Sequence, residues 1–236
     1  MIISGRHPVT EALDNGLPIE KILLQAELQG HFSELITLAR QSNIIVQFVP
    51  KIKLDKLVHS THQGIVAFTS EVQYHALQEI IDTIQENGNN GLFIVFDGIT
   101  DVRNLGAIAR TAYGMGVDAL ILPTTHSAPI NDIAIKTSAG ALQNITLCKS
   151  NNILTTIKDL KANNIYVIGI DAIAEKSIKD IPKNISLAIV IGDEGKGISP
   201  QAKKNLHSLY AIPIDNNLDS YNVSVAAAIT LYEITK

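Results

Sequence analysis

Three segments combine residue types and spacings that suit binding or group-transfer chemistry. The first, DGITDVRNLGAIAR over residues 97–110, closes an apolar run with Asp97-Gly98, crosses a polar loop and enters a helix expected to begin near Leu105. Arg103 and Asn104 stand at the start of that helix and Arg110 lies further along it. A helix N-terminus presents unpaired N–H groups and a positive dipole end, which suits phosphate. The plainer reading of the same residues is an N-cap at Asn104 and a surface arginine at Arg110, since asparagine is a preferred cap.

The second segment, IVIGDEGKGIS over 189–199, carries Gly192, Gly195 and Gly197 around the carboxylate of Glu194. It is no Walker loop, because Lys196 is followed by Gly197 and not by Ser or Thr, and its GxxGxG order fails the dinucleotide fingerprint. What remains is a backbone able to approach a ligand closely, or simply a tight turn. The third segment, AIPIDNNLDSYNVSVAAAI over 211–229, reads as a turn at 215–217 followed by Ser220, Asn222 and Ser224 at the start of a helix. Its next turn, Ala226-Ala227-Ala228, allows close helix packing. Local rules alone would make this an N-capped C-terminal helix.

The elements that must position these segments fall into two textures. Residues 1–75 read as a small α/β unit: a helix over 9–15, a strand over 22–24, a helix over 31–41 and strands over 44–48 and 64–68. Residues 76–90 read as a linker, with a possible helix over 77–86 and a boundary loop, ENGNNG, at 86–91. From 91 to 236 stronger apolar strands, at 92–96, 119–122, 165–170 and 187–191, alternate with helical stretches. Runs apolar on both faces predict a mainly parallel sheet covered by helices, and such sheets bind ligands in the loops after their strands.

Composition narrows the function classes. The chain has 236 residues, 46% hydrophobic and 18% charged, with a formal net charge of −4. A charge of this sign argues against coating nucleic acid over the whole surface, so any RNA contact must be local. Lys51, Lys53 and Lys56, within KIKLDKLVHSTH at 51–62 alongside His59 and His62, are the candidate contact, or else one solvated face of a short helix. No apolar run approaches the roughly 18 residues of a membrane span, and the N-terminus lacks a secretory layout. A cytoplasmic protein is expected. Cys148 has no disulfide partner, and the seven histidines form no zinc spacing, so no metal is expected.

In this order and spacing the three segments resemble the signature motifs of the SpoU (TrmH) family of RNA 2′-O-methyltransferases. Asn104, Gly106 and Arg110 match the first motif, and Gly192, Glu194 and Gly197 the second. Ile212-Pro213 with Ser220, Asn222, Val223 and Ser224 match the third, and Lys136 with Ser138-Ala139-Gly140-Ala141 is similar to a family segment between the first two. The stretches SGRHPVTEAL, at 4–13, and His62-Gln63-Gly64-Ile65 resemble the two ends of the ribosomal-protein-like substrate-binding domain of the rRNA-modifying branch. Val102, Asn216 and Tyr221 depart from the usual Pro, Gly and Leu. The first alters loop stiffness, the second asks Asn to adopt a glycine dihedral, and the third reshapes the cofactor pocket.

The resemblance implies a C-terminal trefoil-knot (SPOUT) methyltransferase domain, a homodimer, and transfer of a methyl group from S-adenosylmethionine to a ribose 2′-hydroxyl, in the closest-looking branch that of a 23S rRNA guanosine. It implies Arg110 as the catalytic residue, either as proton acceptor or as electrostatic clamp. Asn104, Glu194, Ser220 and Asn222 would position the sugar and Arg110, and Gly192, Ile212 and Tyr221 would line the cofactor pocket. The alternatives are a non-catalytic RNA-binding protein with the same two domains, or the same chemistry on tRNA. A nucleotide-binding oxidoreductase is disfavoured by the missing fingerprint.

Overall fold

A computed structural model describes residues 2–42, 44–58, 61–69, 72–215 and 219–236; His59 and Asn216 lie outside the described residues. The chain divides into two compact units, Met1–Val72 and Gln73–Lys236.

In the first unit, β1 (Ile2–Ser4), α1 (Arg6–Asp14), β2 (Ile19–Gln25), a 3-10 stretch (Ala26–Phe32), α2 (Ser33–Gln41), β3 (Ile45–Val49), α3 (Lys51–Asp55) and β4 (Ile65–Thr69) follow in order. The sheet order is β1-β4-β2-β3, with β2 and β3 parallel and the other pairs antiparallel. Side chains alternate across the sheet. Ile22 and Leu24 of β2 pack with Val9 and Ala12 of α1 and Leu35, Ile36 and Ala39 of α2, whereas Leu23 packs with Leu54 of α3. The helices α1 and α2 therefore cover one face and α3 the other.

The His62-Gln63-Gly64 stretch is the tie between these elements. His62 is buried, accepts the Gly64 N–H at Nδ1 (3.0 Å) and faces Asp55 Oδ1 through Nε2 (2.8 Å). Gln63 Oε1 accepts the Arg6 N–H at 2.9 Å, capping α1, whose own N-cap, Gly5, has no side chain to do so. Gly64 has φ of 81°, and a Cβ there would stand 2.8 Å from Leu28, so no other residue fits without a shift.

The second unit begins with α4 (Leu77–Glu86) and continues through β5 (Leu92–Asp97), α5 (Val102–Gly114), β6 (Ala119–Pro123), α6 (Asp132–Thr137), β7 (Thr146–Ser150), α7 (Ile153–Ala162) and β8 (Tyr166–Ile170). After β8 come β9 (Lys176–Ser177), β10 (Leu187–Gly192), α8 (Pro200–Asn205), β11 (Ser208–Ala211) and α9 (Val223–Thr235). Seven strands form one sheet of order β7-β6-β5-β10-β8-β11-β9, and every pairing in it is parallel. Every residue of β10 is buried, as a central strand covered on both faces requires. Ile81 of α4, Ile157 and Leu160 of α7 and Ala202 of α8 cover one face through Phe93, Val95, Ile121 and Val190.

Two sequence expectations change here. Residues 76–90 are not a free linker: α4 buries Ile81, 1% exposed, in the core of the second unit, and the contact boundary lies before Gln73. The ENGNNG loop is a connection inside that unit, since a glycine and asparagine turn joins a helix to a strand as readily as it joins domains. The strands β1, β7, β9 and β11, short or partly polar, had no clear periodic signal.

Candidate active site

Strands β5 and β10 lie side by side in register, with Gly192 opposite Asp97. The chain leaves β5 toward β6 on one side of the sheet, while β8 lies on the other side of β10. The carboxyl ends of β5 and β10 thus open onto the crevice where a parallel sheet reverses its winding, the usual ligand site of such folds. The first motif follows β5 and the second follows β10.

Local chemistry sets each motif's geometry. Asp101, not Asn104, caps α5, its Oδ1 accepting the N–H groups of Arg103 (2.6 Å) and Asn104 (3.3 Å). This corrects the expectation of a helix starting near Leu105 with Asn104 as its cap, and it frees the Asn104 side chain for other partners. Gly106 is where α5 meets α6: a Cβ there would lie 2.7 Å from the Ala134 carbonyl oxygen. The Ser138-Ala139-Gly140-Ala141 segment is the turn beyond α6, held by Ser138 Oγ donating to Ile135 O at 2.8 Å. In the second motif Asp193 Oδ1 accepts from Gly195 N and Lys196 N (2.9 and 3.1 Å), curling the loop back on Gly192. A Cβ on Gly192 would lie 2.1 Å from the Gly197 carbonyl carbon, so that closure demands glycine. Asp97 Oδ2 accepts Ser199 N at 2.7 Å and fastens the loop's far end to β5.

The three motifs meet in a closed triangle of side chains. Asn104 Nδ2 donates to Glu194 Oε2 at 3.1 Å, and Asn222 Nδ2 donates to Glu194 Oε1 at 3.0 Å and to Asn104 Oδ1 at 3.2 Å. Asn222 also caps α9, accepting Ser224 N at 2.9 Å and the Ser224 hydroxyl at 2.6 Å. The residue that caps α9 is thus also bonded to both other motifs. By count, the triangle leaves one amide N–H of Asn104 and further lone pairs on the Glu194 carboxylate. A donor beside an acceptor suits a hydroxyl, which is both.

Beside the triangle lies a cavity of about 240 Å³. Gly192, Ile212 and Tyr221 line it, together with Glu194 and Ser220. Ile191, Ile214, Val223, Ala226 and Ala227 give it apolar walls, and the Asp171–Lys203 ion pair stands at its edge. Asp171, the residue after β8, and Lys203 of α8 were not singled out from sequence, although the rule that ligands sit beyond strand ends points to the former. Arg110 is neither in the triangle nor on the cavity wall: it is exposed on α5. Six residues of helix carry it about 9 Å along the axis and about 120° around it from Asn104. Lys51, Lys53 and Lys56 are exposed on and beside α3 of the first unit. Among the described residues no group of His, Cys, Asp and Glu could hold a metal, and no helix is long and apolar enough to cross a membrane.

Comparison with known proteins agrees with this geometry. Residues 91–232 match the model of the SpoU rRNA Methylase family, and residues 2–75 match that of the RNA 2′-O ribose methyltransferase substrate binding domain. A Staphylococcus saprophyticus protein named as a TrmH family tRNA/rRNA methyltransferase is 35% identical over 235 residues, 99% of this chain and 94% of its own. A Staphylococcus aureus protein of the same name is 36% identical over 234 residues, with the same coverage. Among solved structures, the SpoU methyltransferase AviRb of Streptomyces viridochromogenes, in complex with the cofactor AdoMet, superposes with a TM-score of 0.64 at 22% identity, covering 100% of this chain and 89% of its own. An AdoMet-bound rRNA methyltransferase of Sinorhizobium meliloti gives a TM-score of 0.60 at 19% identity over 99% and 85%. A structure described as an A. aeolicus TrmH/SpoU tRNA modifying enzyme gives a TM-score of 0.57 at 23% identity and covers 67% of this chain and 82% of its own. With its three motifs gathered at one sheet crevice and its two domains each matched, the chain belongs to the SpoU family of RNA methyltransferases.

Proposed function

We propose that this protein transfers the methyl group of S-adenosylmethionine to the 2′-hydroxyl of a guanosine in 23S rRNA. The observation that carries this reading is the Asn104–Glu194–Asn222 triangle, which joins residues 90 and 118 positions apart into one hydrogen-bonded unit beside a cavity. Coverage favours ribosomal over transfer RNA. A neighbour described as an rRNA methyltransferase spans 99% of the chain, first unit included, whereas two neighbours described by tRNA modification span 67% and 61%.

The cavity suits the methyl donor by its chemistry: apolar walls for a purine and a carbon chain, and a glycine loop offering backbone groups for polar edges. Gly192, Ile212 and Tyr221 would hold it. When bound, the donor supplies an electrophilic methyl on a sulfonium sulfur, whose leaving group is a neutral thioether. The chain's task is then positioning. Asn104 and Glu194 hold the ribose hydroxyl as donor and acceptor, Asn222 locks both, and Ser220 borders the same space. The five fixed N–H donors of a guanidinium and its lack of an acceptor suit Arg110 to the electrostatic role. Arg110 orients the ribose and stabilises the developing alkoxide, while the hydroxyl proton leaves along its hydrogen bond to Glu194, which is open to solvent.

A homodimer brings Arg110 into play. Val225 and Tyr232 of α9 and Tyr113 of α5 are 45%, 54% and 52% exposed, large apolar side chains left uncovered on two helices that pack together. Arg110 lies one turn before Tyr113, so pairing through these side chains places the arginine at an interface where it serves the partner's triangle. Lys51, Lys53 and Lys56 give the first unit a local cationic surface for RNA phosphates. The protein works in the cytoplasm, where ribosomal RNA is made and modified. Mapping 2′-O-methyl positions in total RNA from cells with and without the gene tests the reading: loss of one 23S guanosine mark is expected. Loss of a tRNA mark would overturn the ribosomal assignment.

A further inference from the structure

The first unit holds a second cavity, of about 430 Å³, on the sheet face covered by α1 and α2 and therefore on the face opposite α3 and its lysines. Arg6, Thr10 and Leu13 of α1 line it, with His31 of the 3-10 stretch and Glu34 and Leu38 of α2. Arg6 is fixed in place: its guanidinium lies over the Phe32 ring, 4.6 Å from the centroid, and Nη2 donates to the His31 carbonyl oxygen. A guanidinium has five N–H groups, so one such bond leaves most of the fork for a ligand. Glu34, exposed at the start of α2, sets a carboxylate across the same apolar floor from that cation. Leu38, 41% exposed at its rim, is surface that a flat ligand would cover.

We propose that this cleft binds an unpaired guanine of the RNA substrate, Arg6 donating to its O6 and N7 and Glu34 accepting from its N1–H and exocyclic amine. Proteins read RNA sequence mainly through splayed-out, unstacked bases, and a paired arginine fork and carboxylate match both edges of guanine. Adenine offers only one acceptor to the arginine and one amine to the carboxylate, and the pyrimidines match less. Leu13 and Leu38 pack on the base, and the Thr10 hydroxyl stands at the edge for sugar or phosphate. This inference rests on the reading that the first unit contacts the RNA, but it names a different face from the Lys51, Lys53 and Lys56 surface.

The test uses the full-length protein and fluorescein-labelled uridine octamers carrying a single central G, A or C, with the all-U octamer as reference, followed by anisotropy at fixed salt. A preference for the G-containing octamer of about tenfold is expected from one bidentate contact. Glu34→Gln and Thr10→Trp, the latter filling the cleft, should each remove the preference while leaving all-U binding in place. The charge-reversed triple variant at Lys51, Lys53 and Lys56 should weaken all octamers alike and keep the preference. Equal binding of the four octamers, or binding of none, overturns the guanine site. So does a preference that survives in both cleft variants. Methylation of rRNA by the same preparation, measured in parallel, shows separately whether the methyltransferase reading stands.

Discussion

Asn222 does two jobs that a pair of substitutions separates. Its Oδ1 caps α9, and its Nδ2 donates to Asn104 and Glu194 at 3.2 and 3.0 Å. Asn222→Ser keeps a cap of equal rank but removes both donated bonds. Asn222→Ala removes the cap as well. Because the triangle is largely exposed, its bonds contribute little to stability, and the serine variant should unfold within about 0.5 kcal/mol of wild type. The alanine variant should lose a further ~1 kcal/mol, or roughly 2–4 °C of Tm for a chain of this size. Activity should follow the other pattern. Both variants lose the group that holds Asn104 and Glu194 in register, and removing one preorganised contact of this kind costs about 100- to 1000-fold in turnover. Thermal unfolding and transfer of tritiated methyl to rRNA give the two readouts. Wild-type turnover in Asn222→Ser would refute the argument that the triangle positions the hydroxyl, and equal Tm losses in both variants would refute the division between cap and network.

Further outcomes follow from other parts of the fold. Arg110→Ala should abolish methyl transfer while calorimetry finds S-adenosylmethionine affinity nearly unchanged, because Arg110 lies off the cavity wall; a large loss of affinity would contradict that placement. A fragment of residues 73–236 should fold and bind the methyl donor, whereas one beginning at 91 loses α4 and the burial of Ile81 and should unfold at distinctly lower denaturant, as removal of a buried apolar element costs several kcal/mol. Cys148 is fully buried, and burial pushes its thiol up to about 11, so the native protein should resist iodoacetamide at pH 8 and expose one reactive thiol on denaturation. A thiol raised in the fold favours the folded state while protonated, so this contribution is lost as pH rises through about 11.

The sequence carried the site farther than its local rules could. The parallel sheet was visible in runs such as LAIVIG, apolar on both faces, and α4 was legible to the residue over 77–86. Its membership was not, because amphipathic spacing says that a helix buries one face but not against what. Asp101 and Asn104 are both good caps three residues apart, and local preference cannot choose between them; only the closure of Asn104 on Glu194, 90 residues away, shows which one faces the site. Gly192 reads from sequence as room for a ligand or as part of a tight turn, and its missing Cβ makes room for the loop's own backbone at Gly197. Arg110 illustrates the converse, since its spacing from Asn104 matched the family motif while helical geometry turns it away from the cavity of its own chain.

The most direct test of the central claim is to incubate the purified protein with S-adenosylmethionine and 23S rRNA lacking its natural modifications, digest the RNA to nucleosides and identify the product by mass spectrometry. The account predicts one 2′-O-methylguanosine per RNA molecule, absent with Arg110→Ala and formed about 100- to 1000-fold more slowly with Asn222→Ser. A base-methylated nucleoside, or no methylated nucleoside from a preparation shown to bind the methyl donor, would contradict it.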